Sequence, residues 1–342
     1  MPDLDTVREE WSALAAGDDN IFATWEWASI WWRHLGEGRP LLGAVCRRAD
    51  GTPVTILPLY LASRRPLRVM RYIGHGPADR LGPIGDPRDR LDMAWALRRA
   101  LAANSSRWDV FVAEQLPRDQ GWSALLGGRI VEREPSPVLG TSGMSWADLL
   151  ASRSSNFREQ VTRKERKLRR EHDVRFRLTV DPTQLQGDLD VLFSLHDARW
   201  RGDSEAFEGS REGFHREFAA CALTRGWLRL WILELDGVPA AAWYGFRFRG
   251  TESFYQSGRD PAWDRSAVGS VLLAHTVRQA MEDGVREYRF LRGGEPYKSR
   301  WADRDAGLET VALGRGLRGR AVVAAPASVR RLAAPLRQRL TR

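Results

Sequence analysis

ESFYQSGRDPAWDRSAVGSVLLAHTVRQAMEDGVREYRFLRGGEPYKSRW, residues 252–301, is the stretch that decides the fold. SFYQSG reads as a strand, RDPAWDRS as an irregular loop, VGSVLLAHTVRQAMEDG as a helix and REYRFLRGG as a second strand. Strand, loop, helix and strand in that order make an α/β unit. The helix opens on Arg265, Ser266, Ala267, Val268, Gly269 and Ser270. Its first N–H groups have no partner within the helix and sit at the positive end of the macrodipole. Such an opening suits a pyrophosphate, and Gly269 lets the anion come close. The same residues also make an ordinary helix start.

Outward from this stretch, WLRLWILEL and PAAAWYGFRF flank Asp236-Gly237, a dipeptide that favours tight hairpins because both positions tolerate positive φ. The first half of the chain follows the same order. LLGAVCRR and VTILPLYLA flank Asp50-Gly51, LRVMRYIG leads into the loop HGPADRLGPIGDP, and DRLDMAWALRRALAA and WDVFVAEQL give a helix and a strand. An order that recurs with little shared identity points to one duplicated α/β unit. The expected architecture is α/β (α+β in detail): two tandem domains with mixed, mostly antiparallel sheets flanked by helices. Residues 1–150 form the first domain, 151–314 the second and 315–342 a basic tail. Helices are expected over 5–16, 24–35, 153–172, 189–200 and 211–224, with Ser154 or Ser155 capping the third. A further helix in the tail, with Val329, Leu332, Leu336 and Leu340 on one side, is interrupted by Pro335.

The 342 residues are 43% hydrophobic and 28% charged, which fits a folded globular protein. No segment approaches the roughly 20 apolar residues of a membrane span, and the start, MPDLDTVREEWSALAAG, is acidic where a signal peptide is basic. A cytoplasmic location is expected, with peripheral membrane contact through the tail as its variant. Cys46 and Cys221 are too few for a disulfide framework or a four-cysteine zinc site, and no metal site is expected. The net charge of +9 is unevenly distributed. The tail from 315 holds eight arginines and no acid, and 153–172 holds eight basic and three acidic side chains, so the remainder is mildly acidic. The only lysines are Lys164, Lys167 and Lys298.

The HDARW segment (196–200) and the run from the loop through Gly269 to RFLRGGEPYKSRW resemble the CelD-like, cellulose-biosynthesis-type GNAT acetyltransferases, relatives of the Fem-type transferases that use aminoacyl-tRNA. The resemblance spans Phe22 to about Trp301. It implies two GNAT-like domains, the second holding an acyl donor between splayed strands. Two positions depart from the pattern: Arg289 stands where an acid is usual, and Arg80, not a tyrosine, follows Asp79.

Transfer of an acyl group to an amine needs a neutral nucleophile, an attack geometry and stabilisation of the oxyanion, without a covalent enzyme intermediate. Lys298, which matches a lysine of the Fem-type relatives, is the candidate to neutralise the oxyanion or a donor phosphate; its structural alternative is an ion pair with Glu295. Tyr297 is the candidate proton donor to the leaving thiolate, and Glu295 a base or amine-positioning carboxylate. Strand alternation turns one of Tyr255 and Gln256 toward the reaction centre, with Gln256 expected to orient the acyl carbonyl and Tyr255 left to border the substrate. For the acceptor, the resemblance points to Asp79, Arg199 and Trp200, and Glu26 is placed to face a cleft. His196 and His275 read as interior histidines.

Acyl-CoA is the expected co-substrate and a small-molecule amine, a sugar or a natural-product precursor the acceptor. The alternative is an aminoacyl-tRNA donor, with helix 153–172 on the tRNA phosphates and an amide formed on a peptidoglycan precursor or secondary metabolite. A third reading, from another class, is a non-catalytic protein that binds anionic lipid through its tail.

Overall fold

Both Asp-Gly dipeptides close hairpins. Gly51 has φ +88°, and Asp236 and Gly237 have φ +52° and +82°, the left-handed pair that a two-residue turn between twisted strands requires. The computed structural model describes residues 3–36 and 38–325, and the chain divides into two units, each described on its own below.

The first unit runs to Ser136 and resumes at Ala306. Its five-stranded sheet has the order Leu59–Ser63, Val69–Tyr72, Val110–Pro117, Leu308–Gly314, Arg129–Glu134. One pair is parallel, Val69–Tyr72 with Val110–Pro117, and helix Arg90–Ala103 makes the crossover between them. Pro58, which has no N–H to donate, splits VTILPLYLA into two strands that join different sheets.

The second unit is Pro137–Asp305. In chain order it contains β1 (Pro137–Gly140), α1 (Trp146–Ala151), α2 (Ser155–Glu171), β2 (Val174–Leu178), α3 (Leu185–Trp200), α4 (Ser210–Thr224), β3 (Leu228–Leu235), β4 (Val238–Phe248), β5 (Thr251–Arg259), α5 (Val268–Glu282), β6 (Glu287–Arg289), α6 (Pro296–Trp301) and β7 (Arg304–Asp305). The sheet order is β7-β1-β6-β5-β4-β3-β2, again with one parallel pair, β5 with β6, bridged by α5. Alternation along β4 sorts the two layers. Trp243 joins the core cluster that contains Val271, Leu272 and Val277 of α5, whereas Tyr244 meets His215 of α4 and Phe207. Ser154 caps α2 through its hydroxyl, which accepts from Phe157 N at 3.3 Å.

These boundaries correct the expected ones. The division falls after Ser136 because β1 pairs with β6, and Leu308–Gly314 belongs to the first unit because it fills the slot between Val110–Pro117 and Arg129–Glu134. Residues beyond 314 begin as helix Gly316–Ala324, whose Val322 and Val323 pack on Val69, Val110 and Val112. The Pro335-interrupted helix lies outside the described residues.

Candidate active site

Strands β5 and β6 pair over only three residues: Thr251 with Glu287, Glu252 with Tyr288 and Ser253 with Arg289. From there β5 continues to Arg259, while the chain after β6 turns away. Phe290 N donates to Pro137 O, Leu291 takes φ +59° and Gly293 φ +114°, and α6 begins at Pro296. Two parallel strands that part this way leave a gap in the sheet. A cavity of about 400 Å³, built entirely from the second unit, lies at it.

The α5 side of this cavity begins with a left-handed Ala267, φ +54°, and no side chain caps the helix. Asp260 caps the preceding 3-10 turn Pro261–Ser266, accepting from Ala262 N at 2.9 Å. Ala267, Gly269 and Ser270 line the cavity, and a Cβ at Gly269 would meet nothing closer than Arg259 Cδ at 3.5 Å. The opening is therefore accessible to an anion. Val268 instead points into the core, and Arg265 is exposed on the 3-10 turn with Ser266 half-buried behind it. Of the six residues read as phosphate-binding, three face the cavity.

The sheet side is apolar, with Trp243 stacked on Phe254 at 5.6 Å. Ser257 lies beyond them at the gap, and the HDARW segment reaches it from the opposite layer. His196 Nδ1 lies 3.1 Å from Ser257 O, and Arg199 Nη1 donates to Ser257 Oγ at 2.6 Å. Gly258 makes this approach possible, because a Cβ there would overlap the backbone of Leu195 and His196. Burial lowers the His196 imidazole to about 4, so it is neutral at pH 7. Tyr297 closes the cavity from α6; burial raises its phenol, with Glu295 adding to the rise and Arg199 opposing it.

Charge at the cavity is mainly positive. Lys164, Arg199, Arg259 and Arg300 line it, against one carboxylate, Asp264, which accepts from Arg259 Nε at 2.7 Å. Lys164 and Arg300 were not among the residues singled out from sequence. The signal available was lysine scarcity together with the stripe Phe157, Gln160, Val161 and Lys164, which puts all four on one face of α2.

Several expectations are corrected by the geometry. Lys298 does not line the cavity: it is 5% exposed, its Nζ donates to Arg292 O at 2.6 Å and pairs with Glu295 Oε2 at 3.0 Å. Lys298 thus locks the turn that carries Tyr297, and Glu295 is committed to the same lock. Tyr255 is the extra residue of a bulge between the Gly245–Phe254 and Tyr244–Gln256 pairs. The bulge defeats simple alternation. Gln256 shares the face of its partner Tyr244, and the Tyr255 ring lies 5.5 Å from that of His215, so both belong to the α4 face, across the sheet from the cavity. Trp200 stacks under Arg199 at 4.8 Å, and its buried Nε1 has no hydrogen-bond partner. Asp79 and Glu26 are buried within the first unit, 7% and 6% exposed, and neither lines the cavity. His275, an interior histidine, stacks on Phe176 at 3.9 Å with both ring nitrogens unpartnered.

The first unit also contains a buried charge cluster that the sequence did not disclose. Glu114 accepts from Arg71 Nη1 at 2.5 Å and lies 2.5 Å from His75 Nδ1. Burial raises the Glu114 carboxyl, but His75 and Arg71 outweigh it and hold the group at about 2.

A mostly antiparallel sheet whose one parallel pair parts over a helix opening is the architecture expected of a GNAT-like domain. Residues 155–299 match the family model described as an acetyltransferase (GNAT) domain. No curated protein matches the sequence. Solved structures extend the likeness to both units. The C-terminal (DUF2156) domain described as that of a lysylphosphatidylglycerol synthetase, from Agrobacterium fabrum, is 12% identical, with 97% of this chain and 96% of that one covered and a TM-score of 0.62. FemX is 10% identical over 90% and 96%, TM-score 0.64, and L-PGS from Bacillus licheniformis 13% identical over 90% and 96%, TM-score 0.57. The second unit is thus a GNAT acyltransferase domain, in a chain whose two-unit fold these structures share.

Proposed function

We propose that the chain transfers an acyl group from acyl-CoA to the amine of a small molecule, sugar or natural-product precursor by direct attack. The observation that carries this reading is the cavity at the parting of β5 and β6, apolar along the sheet and cationic around the uncapped opening of α5. The donor's pyrophosphate rests on the amides of Val268 and Gly269 beside Arg259, since those of Ala267 and Ser270 already donate to Asp264 O and Ala267 O, and its acyl-pantetheine arm lies along Phe254 and Trp243 toward Ser257.

Arg199 takes the part expected of Lys298. Tethered to Ser257 by one nitrogen, it presents the rest of its guanidinium where the carbonyl oxygen becomes negative. The acceptor nitrogen reaches the carbonyl through the gap from the face that carries Tyr255, Gln256 and Trp200. The C–N bond forms, the C–S bond breaks, and Tyr297, held protonated by burial, donates to the leaving thiolate while the amine gives up its proton to solvent, from which Tyr297 regains one. Lys298 and Glu295 hold Tyr297 in place.

A second reading, an aminoacyl-tRNA donor, is favoured by the exposed arginines of α2. Much of that charge is already neutralised, since Arg163 pairs with Glu159, Arg169 with Glu165, and Lys167 with Glu171. Thermal-shift titration with acetyl-CoA, longer acyl-CoAs and aminoacyl-tRNA separates the two, because a ligand of the native state raises the midpoint. A rise with a CoA thioester is expected. A rise with aminoacyl-tRNA alone would reject the acyl-CoA reading.

A further inference from the structure

The wall of the cavity formed by α2 comes from a helix that precedes the first strand of its sheet outside β1, and it is not needed to bridge the parallel pair. It presents Lys164 to the hollow on the stripe begun by Phe157. Arg300 of α6 lines the same hollow; its Nη2 donates to Gln160 Oε1 at 2.9 Å, its guanidinium lies 5.4 Å over the Phe157 ring, and Phe157 in turn meets Trp301 edge-on at 4.8 Å. Gln160 is itself held, its Nε2 donating to Asn156 Oδ1 at 2.9 Å. Arg300 is therefore pre-oriented by a built polar chain.

Among the described residues Lys164 has no ion-pair partner. Glu165, its neighbour, is turned to Arg169 and Arg278. The half-buried Lys164 and the exposed Arg300 share one hollow and repel, and Lys164 loses hydration without a counter-charge. Lys164 shows the cost: burial, then Arg300, then Arg163 lower its ammonium. An oxyanion placed between the two side chains would remove that penalty and gain charge-assisted hydrogen bonds from both.

We propose that Lys164 and Arg300 form a clamp for a phosphate group of the acyl donor, distinct from the amides of the α5 opening, so that α2 selects donors by their phosphate. This rests on the reading that the cavity takes a phosphate-bearing acyl donor. The clamp contributes nothing to a donor that carries only the acyl-pantetheine arm.

The test compares the affinities of CoA and of unphosphorylated pantetheine by calorimetry, with an aminoacyl-tRNA minihelix as a third ligand, for the full chain and for Lys164→Met and Arg300→Gln. Circular dichroism and thermal midpoints verify folding. The expected result is that each substitution lowers the preference for CoA over pantetheine about tenfold, the size of one charge-assisted contact, and that Lys164→Arg restores part of it. A preference unchanged in both variants overturns the clamp, as does equal weakening of both ligands, which marks a packing effect. If the minihelix binds, CoA does not, and the variants weaken the minihelix, the clamp stands and the acyl-CoA reading falls. If none of the three binds the wild-type chain, both fall.

Discussion

Tyr297 and Lys298 are adjacent in sequence and differ in kind. Replacing the phenol, Tyr297→Phe, removes a proton donor and little packing. It is expected to lower kcat by about 10²-fold with the KM for acyl-CoA and the denaturation midpoint nearly unchanged. Lys298→Ala empties a 5% exposed position and leaves the Arg292 carbonyl and the half-exposed Glu295 carboxylate without their shared cation. A loss of about 2–3 kcal/mol in urea melts is expected, together with lower activity as the turn loosens. Full stability with lost activity in Lys298→Ala would return that lysine to the chemistry. Buried histidines begin the acid limb of stability. Burial holds His196 and His275 at about 4 and His215 at about 3, against 6.5 for the free ring. Unfolded chains therefore take up protons first, so stability falls as pH drops from about 6.5 toward 3, and the paired Glu114, held at about 2, extends the fall below that. His275→Phe keeps the stack on Phe176 and removes one such group, so it is expected to gain about 1–2 kcal/mol over wild type at pH 4.5 relative to pH 7. Urea melts at both pH values measure it, and an unchanged acid limb would show that His275 does not titrate with unfolding.

The contact of α3 with β5 depends on one missing side chain. Gly258→Ala sets a Cβ against rigid helix backbone, not against a side chain that can swing away. It should cost about 1–3 kcal/mol and weaken CoA binding, because Arg199 and His196 lose their grip on Ser257; a variant that binds CoA as wild type does would uncouple α3 from the donor site. Elements of this kind mark the limit of what the sequence discloses. The Asp-Gly hairpins, α5 and the turn before α6 follow from local chemistry: left-handed dipeptides, an apolar stripe, glycines ahead of a proline. What local chemistry does not specify is partnership. The stripe on α2 shows that Phe157 and Leu168 are buried, but not that Gln160 and Lys164 will face a cavity. β6 and β7, of three and two residues, are too short for any periodicity to register. At Tyr255 a single bulge moves Gln256 off the face that strict alternation would give it. The lysine expected to act turned out to brace the turn, because sequence spacing places Lys298 within reach of Glu295 without saying which of the two faces outward.

For the whole molecule, the chain does not split into consecutive halves. β1 enters the second unit's sheet as soon as the first unit's Arg129–Glu134 strand ends, and Leu308–Gly314 returns after the second unit is complete. The returning strand is internal, paired on one side with Val110–Pro117 and on the other with Arg129–Glu134. Without it both neighbours present open edges, and Val110, Phe111 and Val112, each 0% exposed, lose part of their cover. The helix that follows adds Val322 and Val323 to that same cluster. Deleting residues 306–325 is therefore expected to cost the first unit more than about 5 kcal/mol, the order of a domain's whole stability, and to unfold it, while the second unit keeps all seven of its strands. Hydrogen exchange read by mass spectrometry distinguishes the outcomes. Amides of Val69–Tyr72 and Val110–Pro117 should exchange at the rate of unfolded chain, and those of β3, β4 and β5 should stay protected. Protection retained at Val110–Pro117 would mean that the strand is an ornament on a complete sheet. Loss of protection at β4 as well would mean that the two units fold as one cooperative body, in which the last strand made completes both.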